Sequence, residues 1–318
     1  MKKILICLSI FTILFNVAPS VAHANDDGQK GPVEGEDYFE QALVAPLEPV
    51  YLPIIMYHQL TTNPARLDTY IISQDEFESD LQLLQNYGYT TVTVKDLLNF
   101  CHKREPLPER PVMITFDDGF ESDYIYGFPI LKKYNMKAIF SIIGRYTDMF
   151  SEPDAIKHIN YAHLSWEEIE EMYGSGLAEF HNHTYDLHSM EKRRGALPYK
   201  YESDEEYRKV LKDDLGKLNE AYEQRLGYMP AAFACPFGAF NDRMKEGLRY
   251  IGFSVIFTSQ QKINKLTGNP EELMRLNRFL RAHGKSVDKL LRQWEQYYKA
   301  ATPTPVPPRE GHLEGPLK

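Results

Sequence analysis

The chain has 318 residues, with 36 Lys and Arg against 45 Asp and Glu, so its formal net charge is -9. Its composition, 43% hydrophobic and 25% charged, is typical of a globular protein and excludes general disorder. Because nucleic-acid binding depends on neutralising many phosphates, the acidic balance and the lack of a dense Lys/Arg run exclude nucleic acid as an expected partner.

The first 24 residues have the pattern of a secretory signal peptide. Lys2 and Lys3 precede an apolar run, and the sequence Ala-His-Ala at 22–24 is typical of a signal-peptidase site. The apolar run is shorter than the ~20 residues that a membrane-spanning helix needs. We expect cleavage near Asn25 and a secreted or cell-envelope-associated protein without a stable membrane span. An uncleaved N-terminal anchor is the alternative.

The rest of the chain divides into three parts. Residues 25–50 are rich in Gly, Pro, Asp and Glu and are predicted to form a flexible lead-in. Residues 301–318 are rich in Pro and are predicted to form a disordered tail. The segment 51–300 between them is predicted to be one folded domain.

Short β-branched runs alternate with helical patterns through this domain. Strands are predicted at 54–57, 90–94, 112–116, 138–143, 177–180, 231–235 and 254–258. Helices are predicted at 75–87, 94–101, 124–134, 165–173, 205–226, 242–250 and 287–298. This alternation predicts a parallel sheet covered by helices, as a barrel or as a doubly wound sheet. In both architectures, functional side chains collect at the carboxyl ends of strands.

The three cysteines exclude a disulfide-rich scaffold. Cys7 lies in the signal segment, which leaves Cys101 and Cys235. One bridge between these two is open from the sequence, and two buried free thiols are the simpler interpretation.

Asp117 and Asp118 follow the predicted strand 112–116 in the sequence Thr-Phe-Asp-Asp-Gly. Adjacent ionised carboxylates repel each other and Asp is a poor strand former, so the pair costs stability that a functional site would explain. An ordinary Asp-Asp-Gly turn is the alternative. Taken alone, the motif does not decide between the two.

Three of the ten histidines lie within eight residues, namely His181, His183 and His188, directly after the predicted strand 177–180. Two imidazoles and one carboxylate form a common open zinc site whose fourth position is left to water. A surface loop with solvated histidines is the alternative. It does not explain why the cluster lies where a parallel α/β protein builds its site.

The three motifs together resemble the polysaccharide deacetylase family, also called the NodB-homology or carbohydrate esterase family 4 enzymes. Thr-Phe-Asp-Asp-Gly, the histidines and a Pro-Phe-Gly loop at 236–238 follow one another in the family's order, over about 53–290. The resemblance implies an α/β fold, a distorted (β/α) barrel of the NodB-homology type. It also implies a hydrolase that removes N- or O-acetyl groups from polysaccharides with a divalent metal.

The resemblance also implies roles for individual residues. Asp117 matches the general base, and Asp118, His183 and His188 match the metal ligands. The two ligand histidines are one residue further apart than in the commonest form of the motif, which is similar to the branch that acts on poly-N-acetylglucosamine. Because i and i+5 do not share a helix face, a loop must bring the two rings together. His181 is interpreted as a solvated histidine, with support of the metal ligands from behind as the alternative.

Pro236 and Phe237 match the family's substrate and oxyanion contacts. Pro fixes the chain there, and the following Gly allows the backbone to approach a ligand closely.

Two histidines compete for the role of general acid. His58 lies in a Met-Tyr-His sequence that resembles a motif of the poly-N-acetylglucosamine branch, where an early histidine supplies the acid. Barrel closure brings the first and last strands together, so an early residue can occupy the place of a late one. His283 is the alternative, if the family's late Leu-x-His motif is retained in a degraded form.

Three elements of the family pattern are missing. Ala234 and Cys235 occupy the stretch where an arginine usually holds the base, an Asp-Trp pair has no counterpart in 253–259, and the Leu-x-His motif is not clear. The control of the Asp117 pKa is therefore open. A catalytically inactive carbohydrate-binding protein that retains the deacetylase fold is the alternative function.

The sequence thus predicts hydrolysis of acetyl groups on polymers that contain N-acetylglucosamine. The ligand set favours Zn²⁺, with Co²⁺, Ni²⁺ and Mn²⁺ as alternatives. A glycoside hydrolase needs two carboxylates ~5 to 10 Å apart, whereas Asp117 and Asp118 should point to opposite faces of a strand. The particular polysaccharide and the oligomeric state are left open by the sequence.

Overall fold

The computed structural model describes residues 47–191 and 193–298. The predicted signal peptide, most of the lead-in and the predicted tail lie outside the described residues, as does Cys7. The first strand begins at Val50, the last residue assigned to the lead-in. Within the described segments, no helix is both long and apolar enough to cross a bilayer.

The described residues form twelve strands and eight α-helices. The strands are Val50–Leu52 (β1), Ile54–Tyr57 (β2), Gln59–Thr61 (β3), Ile71–Ser73 (β4), Thr90–Thr91 (β5), Pro111–Asp118 (β6), Ala138–Ile142 (β7), Ala178–Asn182 (β8), Ala232–Ala234 (β9), Val255–Phe257 (β10), Asn264–Leu266 (β11) and Phe279–Leu280 (β12). The helices are Gln74–Asn86 (α1), Val94–Lys103 (α2), Phe128–Tyr134 (α3), Gly144–Phe150 (α4), Trp166–Gly174 (α5), Asp204–Leu226 (α6), Asp242–Tyr250 (α7) and Asp288–Tyr298 (α8).

The main sheet is parallel, with the strand order β10-β9-β8-β7-β6-β2-β12, and β5 pairs with the start of β6. At its open side, Phe257 of β10 forms an isolated parallel bridge with Leu276, which lies three residues before β12. The sheet therefore curls into an incomplete barrel, which confirms the predicted distorted (β/α) barrel. Because every strand of this sheet runs the same way, their carboxyl ends meet at one rim.

Alternation along the strands gives the sheet two buried faces. Ile55, Ile114 and Phe140 belong to one apolar cluster, together with side chains from α1, α3, α5 and α8. Met113 and Ile139 belong to a second cluster, which includes side chains of α2. The apolar runs predicted as strands are therefore buried on both sides, as expected for parallel strands.

Capping boxes fix where several helices begin. Ser73 and Glu76 exchange side-chain and backbone hydrogen bonds at the start of α1, and Ser203 and Glu206 do so at α6. Each box satisfies backbone N–H groups that have no partner within the helix. A helix start set in this way depends on local sequence, which is why these boundaries were predicted closely.

Two predicted elements need correction, and one short helix was not predicted. The predicted helix 124–134 begins as a π-helical turn, Asp123–Gly127, and becomes α-helical at Phe128. The predicted strand 90–94 ends at Thr91, because Thr93 caps α2. Helix α4 was not predicted, since it is short and its N-cap, Ile143, makes no side-chain cap bond.

Cys101 and Cys235 are both buried and free. The simpler sequence interpretation, two unpaired thiols, is confirmed. Burial raises the pKa of the Cys101 thiol to about 11 and that of Cys235 to about 12, so both are protonated at neutral pH.

Candidate active site

The two aspartates lie at the rim of the barrel, where β6 ends. Asp117 is buried with 3% of its surface exposed, and the chain turns at Asp118, whose φ is 71°. This left-handed conformation is rare outside glycine and interrupts the alternation of the strand. Both side chains line the same cavity, so the expectation that they address opposite faces is wrong. The glycoside-hydrolase argument from opposite faces therefore fails, and the contacts of each carboxylate define its chemistry instead.

Gly119 makes the sharp turn after the aspartates possible. Its φ is 73°, and a Cβ atom there would lie 2.7 Å from Cγ2 of Ile142 on the neighbouring strand. Both the conformation and the close approach exclude a larger residue. The turn and the contact with Ile142 therefore explain why glycine occupies this position of the Asp-Asp-Gly motif.

Asp118, His183 and His188 converge on one point. Their ligand atoms all lie within 4.8 Å of one another. The distance from Asp118 Oδ1 to Nε2 is 3.3 Å for His183 and 3.4 Å for His188. Nδ1 of His183 lies 2.9 Å from the carbonyl oxygen of Ala234. Because a carbonyl only accepts, Nδ1 donates there. In the neutral ring Nε2 then carries the lone pair that can bind a cation, whereas in the protonated ring Nε2 donates to Asp118. The donor set therefore fits a divalent metal.

The loop that carries the two ligand histidines is fixed by its backbone. Asn182 accepts a hydrogen bond from the amide of Thr184, whose φ is 80°. Asp214 on α6 accepts bonds from the amides of Tyr185 and Asp186, each at 2.8 Å. These contacts hold an unfavourable conformation for a β-branched residue, as functional sites often do. The extra residue between the histidines is accommodated in this turn.

The electrostatics of the cluster favour an ionised carboxylate. Burial opposes ionisation of Asp118, but the hydrogen bond from His183 and the nearby imidazoles hold its pKa well below the usual range. Burial also opposes protonation of His183, yet the Asp118 hydrogen bond raises its pKa. His188 is different, because burial, with the neighbouring His183, lowers its pKa to about 4. Asp118 thus supplies an ionised carboxylate to the ligand set.

Arg278 was missed by the sequence analysis and supplies the arginine that seemed to be absent. Its Nη1 and Nη2 donate to Oδ1 and Oδ2 of Asp117, each at 2.7 Å, and the residue is 1% exposed. Burial favours the neutral form of Asp117, but the Arg278 charge outweighs it and holds the carboxyl pKa below its usual range. Arg278 directly precedes β12, on the far side of the barrel seam from the motif that was searched.

The structure separates the two candidates for the general acid. His58 follows β2 and lines the same cavity as Asp117 and Asp118, and its Nδ1 is buried with no hydrogen-bond partner among the described residues. His283 has a half-exposed side chain, and its Nδ1 lies 2.8 Å from Oε2 of Glu76 on α1. His283 is not among the residues that line this cavity.

Phe237 lies beside the metal-ligand cluster. Its ring centre is 4.6 Å from that of His188, it is 39% exposed, and its φ of 58° is left-handed. Pro236 is buried and packs closely against Gly195. A side chain at Gly195 would place its Cβ 3.0 Å from the Cβ of Pro236. Of the two predicted substrate contacts, Phe237 lines the cavity, and Pro236 supports the turn that presents it.

The interpretation of His181 as a solvated histidine is wrong. The side chain is 1% exposed, and its Nε2 lies 3.3 Å from Oε1 of Glu179. Its Nδ1 accepts a hydrogen bond from the amide of Ala232 on β9. His181 therefore joins β8 to β9 inside the barrel, away from the cluster.

The residues placed together by these elements enclose a cavity of about 560 Å³. Its lining includes His58, Asp117, Asp118, His183, His188, Phe237 and Arg278. A carboxylate held ionised by an arginine thus lies beside a set of metal ligands and a buried histidine. Within one cavity, this arrangement can activate a water, bind a developing oxyanion, and accept or donate a proton.

Comparison with known proteins agrees with this geometry. A family model described as polysaccharide deacetylase matches residues 104–256. The match covers just under half of the chain and supports its similarity to the polysaccharide deacetylases; the relatives named N-deacetylases are hydrolases that act on carbon–nitrogen bonds other than peptide bonds. The family resemblance and the class of enzyme predicted from the sequence are confirmed.

The chain is also similar to proteins named poly-beta-1,6-N-acetyl-D-glucosamine N-deacetylase. It is 26% identical to the one from Staphylococcus epidermidis over 245 residues, which cover 77% of this chain and 79% of the relative. It is also 26% identical to the one from Escherichia coli K12 over 229 residues, or 66% of this chain, but spans only 33% of that relative's length.

Solved structures show the same fold. A de-N-acetylase from Aggregatibacter actinomycetemcomitans superposes with a TM-score of 0.64 at 26% identity, covering 76% of this chain and 100% of that one. IcaB from Ammonifex degensii superposes with a TM-score of 0.61 at 28% identity, covering 78% and 97%.

Proposed function

We propose that this protein is an exported, metal-dependent deacetylase that hydrolyses N-acetyl groups on polymers of N-acetylglucosamine. The observation that carries the proposal is the convergence of Asp118, His183 and His188 beside Asp117, which Arg278 holds. The names of the relatives from Staphylococcus and Escherichia coli support the substrate class. O-acetyl groups on similar polymers are the alternative substrate.

The cation would be held by Asp118, His183 and His188. Two imidazole nitrogens and one carboxylate oxygen are the donor set of open zinc sites, so Zn²⁺ is the favoured ion, with Co²⁺, Ni²⁺ or Mn²⁺ as alternatives. When bound, such an ion lowers the pKa of a water and polarises the acetyl carbonyl.

Asp117 would act as the general base. The Arg278 fork favours the ionised carboxylate, which is the form able to accept a proton. The same fork fixes both oxygens, so the carboxylate cannot rotate away from the attacking water. The cost is a weaker base, because each hydrogen bond from the guanidinium stabilises the ionised form.

His58 would protonate the departing nitrogen. Burial lowers the pKa of His58, so the ring is neutral at neutral pH before the reaction begins. It must therefore gain a proton during the reaction before it can donate one. The partnerless Nδ1 and the nearby carboxylates Asp117 and Asp118 suit such a transfer, since their charges favour the protonated ring once it forms.

The Phe237 segment would contribute to binding the oxyanion and the sugar. Its left-handed backbone and its contact with His188 hold the ring and the turn beside the metal ligands. A preorganised turn at this position stabilises charge that develops on the carbonyl oxygen without further rearrangement. Pro236 would act indirectly, by fixing the turn.

Arg278 removes one of the two arguments for an inactive carbohydrate-binding protein. The missing arginine of the third motif is replaced from another strand, so the base has its partner. The absent Asp-Trp pair is the other argument. Export is proposed from the signal-peptide pattern at 1–24 alone.

An acetate-release assay tests the proposal. Purified protein loaded with Zn²⁺ is incubated with oligomers of N-acetylglucosamine, with and without a chelator, beside an Asp117→Asn variant. We expect acetate and free amine from the loaded protein, and neither from the chelated protein or the variant. Activity that survives chelation would remove the metal from the mechanism. Absence of acetate despite binding of the oligomer would favour the inactive carbohydrate-binding protein.

A further inference from the structure

The metal ligands His183 and His188 are held in different ways. His183 directly follows β8, and its Nδ1 donates to the carbonyl oxygen of Ala234 at 2.9 Å. No hydrogen bond from another described residue fixes the ring of His188. Its ring centre lies 4.9 Å from that of His183 and 4.6 Å from that of Phe237. The position of His188 therefore depends on the loop 184–187 that leads to it.

Tyr185 attaches this loop to two helices through a single carboxylate. Its hydroxyl donates to Oδ2 of Asp148 on α4 at 2.8 Å. Oδ1 of the same carboxylate accepts a hydrogen bond from Nε1 of Trp166, also at 2.8 Å, and Trp166 is a buried residue at the start of α5. Asp148 thus joins a fixed indole to the loop. We call Tyr185, Asp148 and Trp166 the tyrosine clamp.

The ring of Tyr185 is packed as closely as its hydroxyl is bonded. Nζ of Lys217 on α6 lies 3.7 Å from the ring centre. On the other side, a Cβ atom at Gly144 would lie 2.7 Å from Cδ2 of Tyr185, so a side chain at the start of α4 would displace the ring. Glycine at this position therefore leaves the room that the ring occupies between α4 and α6.

The backbone around Tyr185 is bonded to the same two helices. The amides of Gly144 and Arg145 donate to the carbonyl oxygens of Thr184 and Tyr185 at 3.1 and 2.9 Å. The Tyr185 amide donates to Asp214 on α6 at 2.8 Å. The loop is thus fixed at the residue that lies three positions before His188, so a shift there reaches His188 through only two intervening residues.

A second side chain of the loop contributes less to its position. Asp186 Oδ1 lies 2.8 Å from Nη1 of Arg145, but these side chains are 53% and 61% exposed. Exposed ion pairs are screened by water and contribute little, whereas a hydrogen bond to a charged and partly buried acceptor contributes more. The tyrosine clamp is therefore the side-chain contact that determines where the loop lies.

We propose that the tyrosine clamp positions His188 as a metal ligand and thereby sets the affinity of the site for Zn²⁺. A loop that is already ordered does not have to be ordered by the ion, so less binding free energy is lost. Tyr185 is a positioning residue, since it is not one of the three donors. This inference rests on the proposed metal-dependent function and names what determines the strength of its metal site.

The test compares Zn²⁺ affinity in variants that weaken the clamp by different amounts. The dissociation constant of Zn²⁺ is measured by competition with a chromophoric chelator for the wild type, Tyr185→Phe and Tyr185→Leu. Tyr185→Phe removes only the hydroxyl, whereas Tyr185→Leu also removes the ring. Urea unfolding with chelator present measures the stability of the metal-free proteins, and acetate release is measured at limiting and at saturating Zn²⁺.

Tyr87→Phe is the matched control. The Tyr87 hydroxyl also donates to a carboxylate on a neighbouring helix, Asp288 Oδ1 of α8, at 3.1 Å. Tyr87 is the C-cap residue of α1 and does not line the catalytic cavity. The control therefore removes an equivalent hydrogen bond without disturbing the loop that carries His188.

We expect Tyr185→Phe to weaken Zn²⁺ binding about tenfold, the lower end of the effect of removing an outer partner of a metal ligand, and Tyr185→Leu to weaken it further. Tyr87→Phe should bind Zn²⁺ like the wild type. The two Phe variants should lose similar amounts of stability in the presence of chelator. Acetate release by Tyr185→Phe should fall at limiting Zn²⁺ and recover at saturating Zn²⁺, because the bound ion then holds His188 itself.

Equal Zn²⁺ affinity in the wild type and both Tyr185 variants would overturn the inference. An equal loss of affinity in Tyr87→Phe would also overturn it, because the effect would then reflect overall stability. The affinity measurement separates the inference from the proposed function. If Zn²⁺ binding depends on Tyr185 but the wild type releases no acetate, the clamp stands and the deacetylase proposal fails. If acetate is released and Zn²⁺ binding ignores Tyr185, the deacetylase proposal stands and the clamp is wrong.

Discussion

Arg278 holds both carboxylate oxygens of Asp117 in a two-point contact, 161 positions away along the chain. The pair is almost fully buried, and it joins the end of β6 to the residue before β12, across the intervening strand β2. A buried carboxylate without this partner would favour its protonated form, because burial raises its pKa. The guanidinium thus decides whether Asp117 can act as a base at all.

Replacing Arg278 with Lys should therefore reduce activity and change its pH dependence. Lys keeps the charge but cannot hold two oxygens at once, so we expect kcat/KM to fall by about 10²-fold, or ~3 kcal/mol. Since the Asp117 pKa rises when the contact weakens, the acidic limb of the kcat/KM profile should move to higher pH. Acetate release measured from pH 4 to 9 gives both quantities.

Arg281→Lys is the matched control for this variant. Arg281 is also buried at 3% exposure, and it pairs with Asp80, outside the cleft. Its substitution should lower the free energy of unfolding and leave the acidic limb in place. A limb that moves equally in both variants would show that the shift reflects general destabilisation rather than control of Asp117.

The fold was predictable because its signals are local. Strands such as β6 and β7 are continuous apolar runs, and helices such as α1, α5 and α6 begin at capping boxes. Strand β12 was missed, since two residues give no pattern, and it is held by pairing with β2. Arg278, which directly precedes this short strand, therefore also has no local signal that links it to Asp117.

In the site, too, residues within short sequence motifs were predictable, and residues that depend on contacts distant in sequence were not. Asp118, His183 and His188 belong to short motifs, so their convergence followed from placing each motif at a strand end. Arg275, Arg278 and Arg281 are equally spaced in the sequence, and nothing local distinguishes the one that reaches Asp117. His181 was misassigned because β8 alternates so that His181 faces β9, a contact that only the pairing of strands reveals.

Asp118→Ala and His183→Ala should each abolish tight binding of Zn²⁺. Each variant removes one of three donors from a site whose remaining position is left to water. The metal content of the purified proteins, measured by elemental analysis after dialysis, checks this. Asp117→Asn is the control, because it should keep the metal and lose turnover. Retained metal in both ligand variants would show that the set is wrong.

Replacing His58 should affect catalysis much more than replacing His283. His58 lies in the cavity, so His58→Gln should lower kcat by 10²-fold to 10⁴-fold, the usual contribution of a general acid or base. His283 pairs with Glu76 at the surface, so His283→Gln should change kcat by less than about threefold. Steady-state kinetics on the same oligomer compare the two, and the reverse order would return the role to the late histidine.

His163 should make the protein less stable in acid. The folded chain holds the His163 pKa at about 4, whereas the unfolded chain has the ordinary value of ~6.5. Between these values the unfolded state binds a proton that the folded state lacks, so the free energy of unfolding falls as the pH decreases through this window. His163→Gln removes the titrating ring, and the loss of stability between pH 7 and pH 4.5 should shrink by about 2 kcal/mol. Urea unfolding at the two pH values, with chelator present throughout so that metal release does not contribute, measures the difference. His158→Gln, at an exposed histidine of the same loop, should leave it unchanged, and an equal effect of both substitutions would refute the assignment to burial.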